Sequence, residues 1–223
     1  MLGRGVIVLS AVLLAGGVAL ADPPASLPQI QLDVVIARLR PDAWAALKGP
    51  LSRSAIPATT KGEPKGAFAG VLPREQAAIS AIVEKLAKKG LAKVLARPRL
   101  VTLSGRPASF LDGDERALPV PAGKGSVGVQ FEEFGTRLNF LPVALADGRI
   151  RLEAETEVSE LGEKDGDGVA KRVNQRLLAT ADLSAGQILV IGGITRRDKP
   201  EDEYELLIIV TPRILPAGQG GGR

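Results

Sequence analysis

Apolar residues alternate with polar ones over most of this chain, and a helical spacing appears in one place only. Ile30, Leu32, Val34 and Ile36 take every second position of a segment rich in β-branched side chains, which predicts a strand over 30–39. From Pro41 to Leu72 the periodicity fades. Gly49-Pro50, Gly62 and Pro64 interrupt it, so a long loop is expected there, with at most a short helical turn around Trp44. Residues 74–89 then place Ile79, Ile82, Val83 and Leu86 on one stripe at i, i+3, i+4, i+7 spacing. Pro73 stands at the entry and Gly90 at the exit, and Lys85, Lys88 and Lys89 fall where the helix dipole favours cations. One helix is expected.

Everything after Gly90 reads as β. Leu100–Leu103 runs to Ser104-Gly105, and Ala108–Leu111 runs to Asp112-Gly113, each pair a turn signal. Val127, Val129 and Phe131 alternate, and so do Phe134, Thr136, Leu138 and Phe140. The phase slips by one at Glu132-Glu133, which predicts a bulge. After the hairpin signal Ala146-Asp147-Gly148, Ile150, Leu152, Ala154, Thr156 and Val158 face one way. Arg149, Arg151, Glu153, Glu155 and Glu157 face the other, and a row of five charges must meet water rather than lipid. Residues 160–168 form a polar loop, 173–183 the next strand, and Ser184-Ala185-Gly186 a tight turn. Ile188–Ile191 is apolar on both faces and belongs at the centre of a sheet. A charged loop over 195–203 leads to a last strand over 204–215, and the Gly-rich residues 216–223 are expected to be a disordered tail. The class is α+β, mainly β.

Composition narrows the chemistry. The 223 residues are 45% hydrophobic and 24% charged, enough for a packed core, and Gly and Pro number 26 and 16. There is no Cys and no His. Disulfides, thiolate nucleophiles, Cys/His zinc sites and imidazole-based triads are therefore excluded. The net charge of +4 is spread along the chain and gives no footprint for nucleic acid.

Residues 1–21, MLGRGVIVLSAVLLAGGVALA, have the layout of a secretory signal peptide. Arg4 precedes an apolar run from Val6 to Leu20, shorter than a spanning helix, and Ala19-Leu20-Ala21 supplies small residues for cleavage between Ala21 and Asp22. Residues 22–29 are a lead-in, and the chain is expected to be exported.

Three constellations invite a chemical reading and fail it. Gly123-Lys124-Gly125-Ser126-Val127-Gly128 fits a dinucleotide fingerprint, but a strand rather than a helix follows it. Asp165-Gly166-Asp167-Gly168 resembles part of a calcium loop, yet Arg176 stands where the bidentate Glu is required. Glu153, Glu155 and Glu157 share a strand face and can be imagined as an acid/base pair, but Arg149 and Arg151 share it too. Cross-strand Arg172 and Arg176 are available to neutralise them. No catalysis, cofactor or metal is expected.

From Ala92 onward, segments in a fixed order resemble the C-terminal homology domain of bacterial secretins, the outer-membrane ring proteins of type II and III secretion and of type IV and Flp-type pili. They are Ala92–Leu103 (AKVLARPRLVTL) with Arg97 and Pro98, Gly105 with Ala108–Phe110, and Val127–Phe131 with Phe134–Leu138 (FGTRL) around Gly135. Gly148–Leu152 leading to Glu157–Glu160, Leu189–Gly193 with Gly192 and Gly193, and Val210–Ile214 with Thr211, Pro212 and Arg213 complete the series. The resemblance covers about 30–215, and the Phe134–Leu138 segment is most similar to the Flp-pilus branch.

The resemblance implies a homo-oligomeric ring in which each subunit gives strands to one double-walled β-barrel that passes protein or a pilus. It also implies an inward gate between Asp112 and Ser126, with Asp112, Gly113, Pro119, Pro121, Gly123 and Gly125 as its characteristic residues. Three departures accompany it. Residues 22–29 stand where periplasmic ring domains usually precede, which suggests a separate ring protein as partner. Thr195–Asp202 replaces the usual apolar Pro/Gly segment after the Gly-Gly motif, and no pilotin-binding domain follows. The leading expectation is a minimal secretin-type channel subunit at the outer membrane. Beside it stand a soluble periplasmic module that uses the fold for oligomerisation or binding without a pore, and a carboxylate-dependent hydrolase centred on Glu155.

Overall fold

The computed structural model describes residues 27–43, 56–57, 59–61, 68–72, 79–121, 123, 126–164, 170–197 and 203–216. Among these, twelve strands and one helix follow one another. They are β1 (Gln29–Leu39), β2 (Ile56–Pro57), β3 (Thr59–Lys61), β4 (Phe68–Leu72), α1 (Ile79–Lys88), β5 (Ala92–Ala96) and β6 (Arg99–Leu103). Then come β7 (Ala108–Pro121), β8 (Val127–Ala144), β9 (Ile150–Lys164), β10 (Ala170–Leu183), β11 (Ile188–Arg197) and β12 (Glu203–Ile214). The mainly-β class with one helix is what the hydrophobic pattern requires.

The strands form two sheets. One has the order β2-β4-β11-β12-β1-β5, with β6 also pairing β1, and the other has the order β3-β10-β9-β8-β7. The layers stack as helix, seven-stranded sheet, five-stranded sheet. Ile30, Leu32, Leu189, Ile191, Ile208 and Val210 on one face of the first sheet pack against Leu138, Phe140, Leu152, Leu177 and Leu183 of the second. On the opposite face Ala37, Leu39, Val190, Leu207 and Ile209 are covered by Ile79, Val83 and Leu86 of α1. The central sheet is thus buried on both sides, which is why Ile188–Ile191 and Leu206–Val210 read as unbroken apolar runs. Each fully buried Leu or Ile contributes about 1.5–3 kcal/mol of transfer free energy.

The helix ends as its sequence predicts. Gly90 takes φ +71°, and its amide and that of Leu91 bond back to Ala87 and Leu86 at 3.0 Å. The expected helical residues before Ile79 lie outside the described residues, as do Trp44, the leader with Ala21 and Asp22, Gly125, Asp165–Gly168 and the C-terminal tail after Pro216.

Four expectations are corrected. The segment 41–72 is not one loop, because β2, β3 and β4 lie within it. Ala69, Gly70, Val71 and Leu72 of β4 are all buried, so the strand has no polar face to betray its period. Asp112-Gly113 does not end a strand, since β7 continues to Pro121. No bulge occurs at Glu132-Glu133: β7 and β8 pair without a register shift from Ala108↔Phe140 to Pro121↔Val127. The phase slip instead marks a change in which face carries the apolar side chains. Finally, the polar loops are shorter than expected, with β9 reaching Lys164 and β11 reaching Arg197.

Candidate functional site

The functional geometry is concentrated in the second sheet. β7 to β10 are four antiparallel strands joined as consecutive hairpins. The turn at Leu145–Arg149 closes with Leu145 N–H to Arg149 O at 2.8 Å, and Gly148 adopts φ +81°. β9 and β10 are joined through residues that lie outside the description.

Both outer strands, β7 and β10, are 14 residues long. Among the described residues β7 pairs with β8 alone. Among the described strands, the outer edge of β10 is met by β3, at Leu178, Ala179 and Thr180. Long strands with unpaired amides and carbonyls are templates for pairing with another chain.

Across the sheet the registers align rows of residues. Ala108, Phe140, Ala154 and Ala179 form one row, and Gly113, Gly135, Ser159 and Asn174 another. Beyond the second row β8 pairs only with β7, and β9 only with β10, so two ribbons project from the same end of the sheet.

Gly113 and Gly135 sit where the β7–β8 ribbon leaves the wall, and they are direct partners. A Cβ on Gly113 would lie 1.8 Å from the Phe134 carbonyl oxygen, and one on Gly135 would lie 2.3 Å from that of Asp112. Gly135 also has φ +133°, which disfavours any L side chain. The Ser159 hydroxyl accepts from Gly135 N–H at 3.2 Å and braces this point from β9.

The two faces of the sheet differ. From Phe134 onward the even-numbered positions of β8 pack inward, including Leu138 and Phe140. The odd-numbered face is wet. On it Arg176 bonds Glu155 and Glu157, each at 3.2 Å, and Arg151 bonds Asp182 at 2.8 Å. Arg149 reaches both Asp147 (2.7 Å) and Asp182 (3.5 Å), while Arg137 is paired with Glu133. Hydrogen bonding from Arg151, with the charges of Arg151 and Arg149, holds the Asp182 carboxyl below its ordinary range. The hydrogen bond from Arg149 does the same for Asp147. Carboxylates tied in this way belong to a charged surface neutralised by its own arginines.

Toward the ribbon tip the wet face turns apolar. Val129 and Phe131 are 62% and 65% exposed, and Ala117, opposite Phe131, is exposed as well. Pro119 and Pro121 stand opposite Val129 and Val127 in the register, and Gly123 (φ +82°) accepts the Ser126 amide at 2.9 Å in the connecting turn.

The remaining predicted motif residues belong to the first sheet. Arg97 leads from β5 toward β6 and holds Glu84 of α1 at 3.0 Å, and the Pro98 carbonyl receives the Val34 amide at 3.0 Å. Gly192 and Gly193 lie at the register shift between Ile191 and Ile194, where Gly193 has φ +76°. Thr211, Pro212 and Arg213 face Asp33, Leu32 and Gln31.

Sequence reading missed the hub of that region. Asp33 receives Arg99 at 2.7 Å, Arg213 at 3.3 Å and Gln31 at 2.8 Å, which joins β1, β6 and β12. Partial burial pushes its carboxyl up, but the bonds from Arg99 and Gln31 and the charge of Arg213 outweigh this, leaving it below the ordinary value. The one signal was a lone acid in an otherwise apolar strand opposite two separate arginines.

Comparison with known proteins identifies the family. Residues 85–204 match the Secretin family, described as bacterial type II and III secretion system protein. The uncharacterized protein y4xJ of Sinorhizobium fredii is 34% identical over 170 residues, covering 63% of this chain and 40% of its own. The DNA utilization protein HofQ of Escherichia coli is 28% identical over 159 residues, covering 58% and 39%. The chain thus spans about two fifths of the length of these relatives. Among solved structures, the type II secretin GspD of enteropathogenic E. coli aligns over 86% of this chain and 70% of its own, at 16% identity and TM-score 0.45. The type IV competence pilus secretin PilQ of V. cholerae aligns over 85% and 61%, at 17% identity and TM-score 0.45. With more than half of its residues matched to the family, this chain belongs to the bacterial secretins.

Proposed function

We propose that this chain is a secretin-type subunit that is exported through its N-terminal leader and joins copies of itself, β10 of one to β7 of the next. The resulting ring acts at the outer membrane as a channel, or part of one, for exported protein or a pilus. The observation that carries this reading is that, among the described residues, the outer edge of β7 meets no strand and that of β10 meets only the three residues of β3. Three antiparallel steps separate them, so they run in opposite directions, and a four-strand unit added edge to edge keeps the antiparallel alternation unbroken. Closing the ring would remove every such edge, the usual remedy for exposed strands.

In this reading the β7–β8 ribbon beyond Gly113 and Gly135 is the gate, with Asp112, Pro119, Pro121, Gly123 and Gly125 in or beside it. Val129 and Phe131 give it an apolar surface that a neighbouring ribbon can cover. Residues 30–215 act as one secretin homology domain. No cofactor, metal or nucleic acid enters the function, and the ring works by shape rather than by catalysis. A separate periplasmic ring protein is a partner that this reading accommodates.

A second reading is favoured by one observation. The inner face of the β7–β10 sheet is covered by the first sheet, and the outer face carries Arg151, Glu153 and Arg176, so the described wall offers lipid no apolar band. That surface suits a periplasmic module that oligomerises without spanning a bilayer. Fractionation separates the two. Heat-resistant multimers that require detergent for extraction support the channel, and multimers released whole by osmotic shock support the module. A protein released as a monomer sinks both.

A further inference from the structure

Positive charge gathers at the end of the molecule where β1, α1 and β5 meet. Among the described residues, every ion pair is made by an arginine. Lys85 and Lys88 in α1, Lys89 just after it and Lys93 in β5 are exposed and enter none of these pairs. Of the acids beside them, Glu84 is held by Arg97 at 3.0 Å and Asp42 by Arg40 at 3.3 Å.

Directly after Lys89 the chain enters the wall of a cavity of about 380 Å³, lined by Arg38, Arg40, Gly90, Leu91, Lys93 and Tyr204 among others. Arg38 lies over the buried Tyr204 ring at 5.1 Å, which fixes its guanidinium at the wall. Arg38 and Lys93 are direct partners in the β1–β5 ladder, a like-charge pairing that an anion between them relieves. No carboxylate of the described residues lines the cavity.

We propose that this end of the molecule binds anionic phospholipid, with a headgroup phosphate in the cavity and the four lysines along the surrounding headgroups. The site goes beyond the ring reading and does not depend on it. A protein partner would call for apolar or aromatic anchors, and lysine is depleted at such interfaces. None of the exposed large hydrophobic side chains lies between Ile79 and Arg97. Lysines are point charges on flexible stems, which suits a fluid array of phosphates. The contact is one of charge alone, because α1 packs Ile79, Val83 and Leu86 against the sheet and keeps no apolar stripe for acyl chains. Each lysine held at an anionic surface strengthens binding about fivefold, and salt screens the effect.

Flotation of the purified full chain with phosphatidylcholine vesicles, with and without phosphatidylglycerol, tests the site. The comparison with phosphatidylcholine alone removes whatever the apolar leader contributes. Binding should need phosphatidylglycerol and fall as salt rises. Lys88→Gln/Lys89→Gln should lower the partition coefficient about twentyfold and Lys93→Gln about fivefold. Arg106→Gln removes one charge at the exposed turn before β7 and should leave binding unchanged. All four positions are exposed, so the variants should melt with the unsubstituted chain. Equal losses from Arg106→Gln and Lys93→Gln would show attraction to net charge and overturn the site. Equal binding to the two kinds of vesicle would overturn the lipid. Retention of such a chain on immobilised polyglutamate, lost in Lys88→Gln/Lys89→Gln, would then assign the patch to an acidic protein instead.

Discussion

Gly113 of β7 and Gly135 of β8 face each other across an antiparallel ladder, each so close to the opposing backbone that neither position has room for a methyl group. Most strand interiors are weakened by glycine. Here the pair marks the boundary between the part of β8 flanked by two strands and the ribbon flanked by one.

Gly135→Ala is therefore expected to destabilise the subunit by about 1–3 kcal/mol, since the new Cβ meets the Asp112 carbonyl and the φ of +133° is unfavourable for alanine. Gly113→Ala should cost a similar amount. The double variant should cost less than the sum, because both new Cβ atoms crowd one contact zone that has to open only once. Urea unfolding measures all three. A Gly135→Ala protein of unchanged stability would refute the close approach.

Inward and outward positions of β9 should respond differently. Leu152→Ala removes a fully buried side chain between the sheets and should cost about 2–5 kcal/mol. Glu153→Ala, on the wet face one residue later, should stay within about 0.5 kcal/mol. Reversed sensitivities would mean that the register is off by one.

The change of apolar face along β8 is open to labelling. In the cysteine-free chain, Phe131→Cys should react rapidly with a maleimide in the free subunit and Phe134→Cys only on unfolding, since the first is 65% exposed and the second 6%. A bulge at Glu132-Glu133 would put both on one face and give them similar rates.

Acid stability should carry the signature of Asp33. Its folded-state carboxyl lies below the unfolded value near ~4, so the stability it contributes is complete above that pH and is lost as pH falls through the folded value. With Asp33 partly exposed, the contribution is about 0.5–1 kcal/mol. Asp33→Asn should lower the melting temperature at pH 7 and converge with the unsubstituted protein below about pH 3. A constant offset across that range would argue against the ion cluster.

How much was legible in advance follows from what each residue packs against. β9 alternates cleanly because one face meets the other sheet and one meets water, so period two is written in its letters. The wet face and its neutralisation by Arg176 were readable for the same reason, although Asp182, the partner of Arg151, was not. β4 was illegible because it is buried on both faces, and β3 because three residues carry no period. The bulge at Glu132-Glu133 was a false inference from a true signal: the pattern did slip, but a free ribbon can place apolar groups on its exposed face without altering its hydrogen bonds. Gly135 stood out through its family motif, whereas its relation to Gly113 depends on a register that no single strand reveals.

Negative-stain microscopy of the protein extracted from a membrane fraction addresses strand sharing most directly. Closed rings of many copies, with β7 and β10 slow in amide exchange along their outer edges, are the predicted result. Single-copy particles whose outer β7 and β10 amides exchange freely would contradict it.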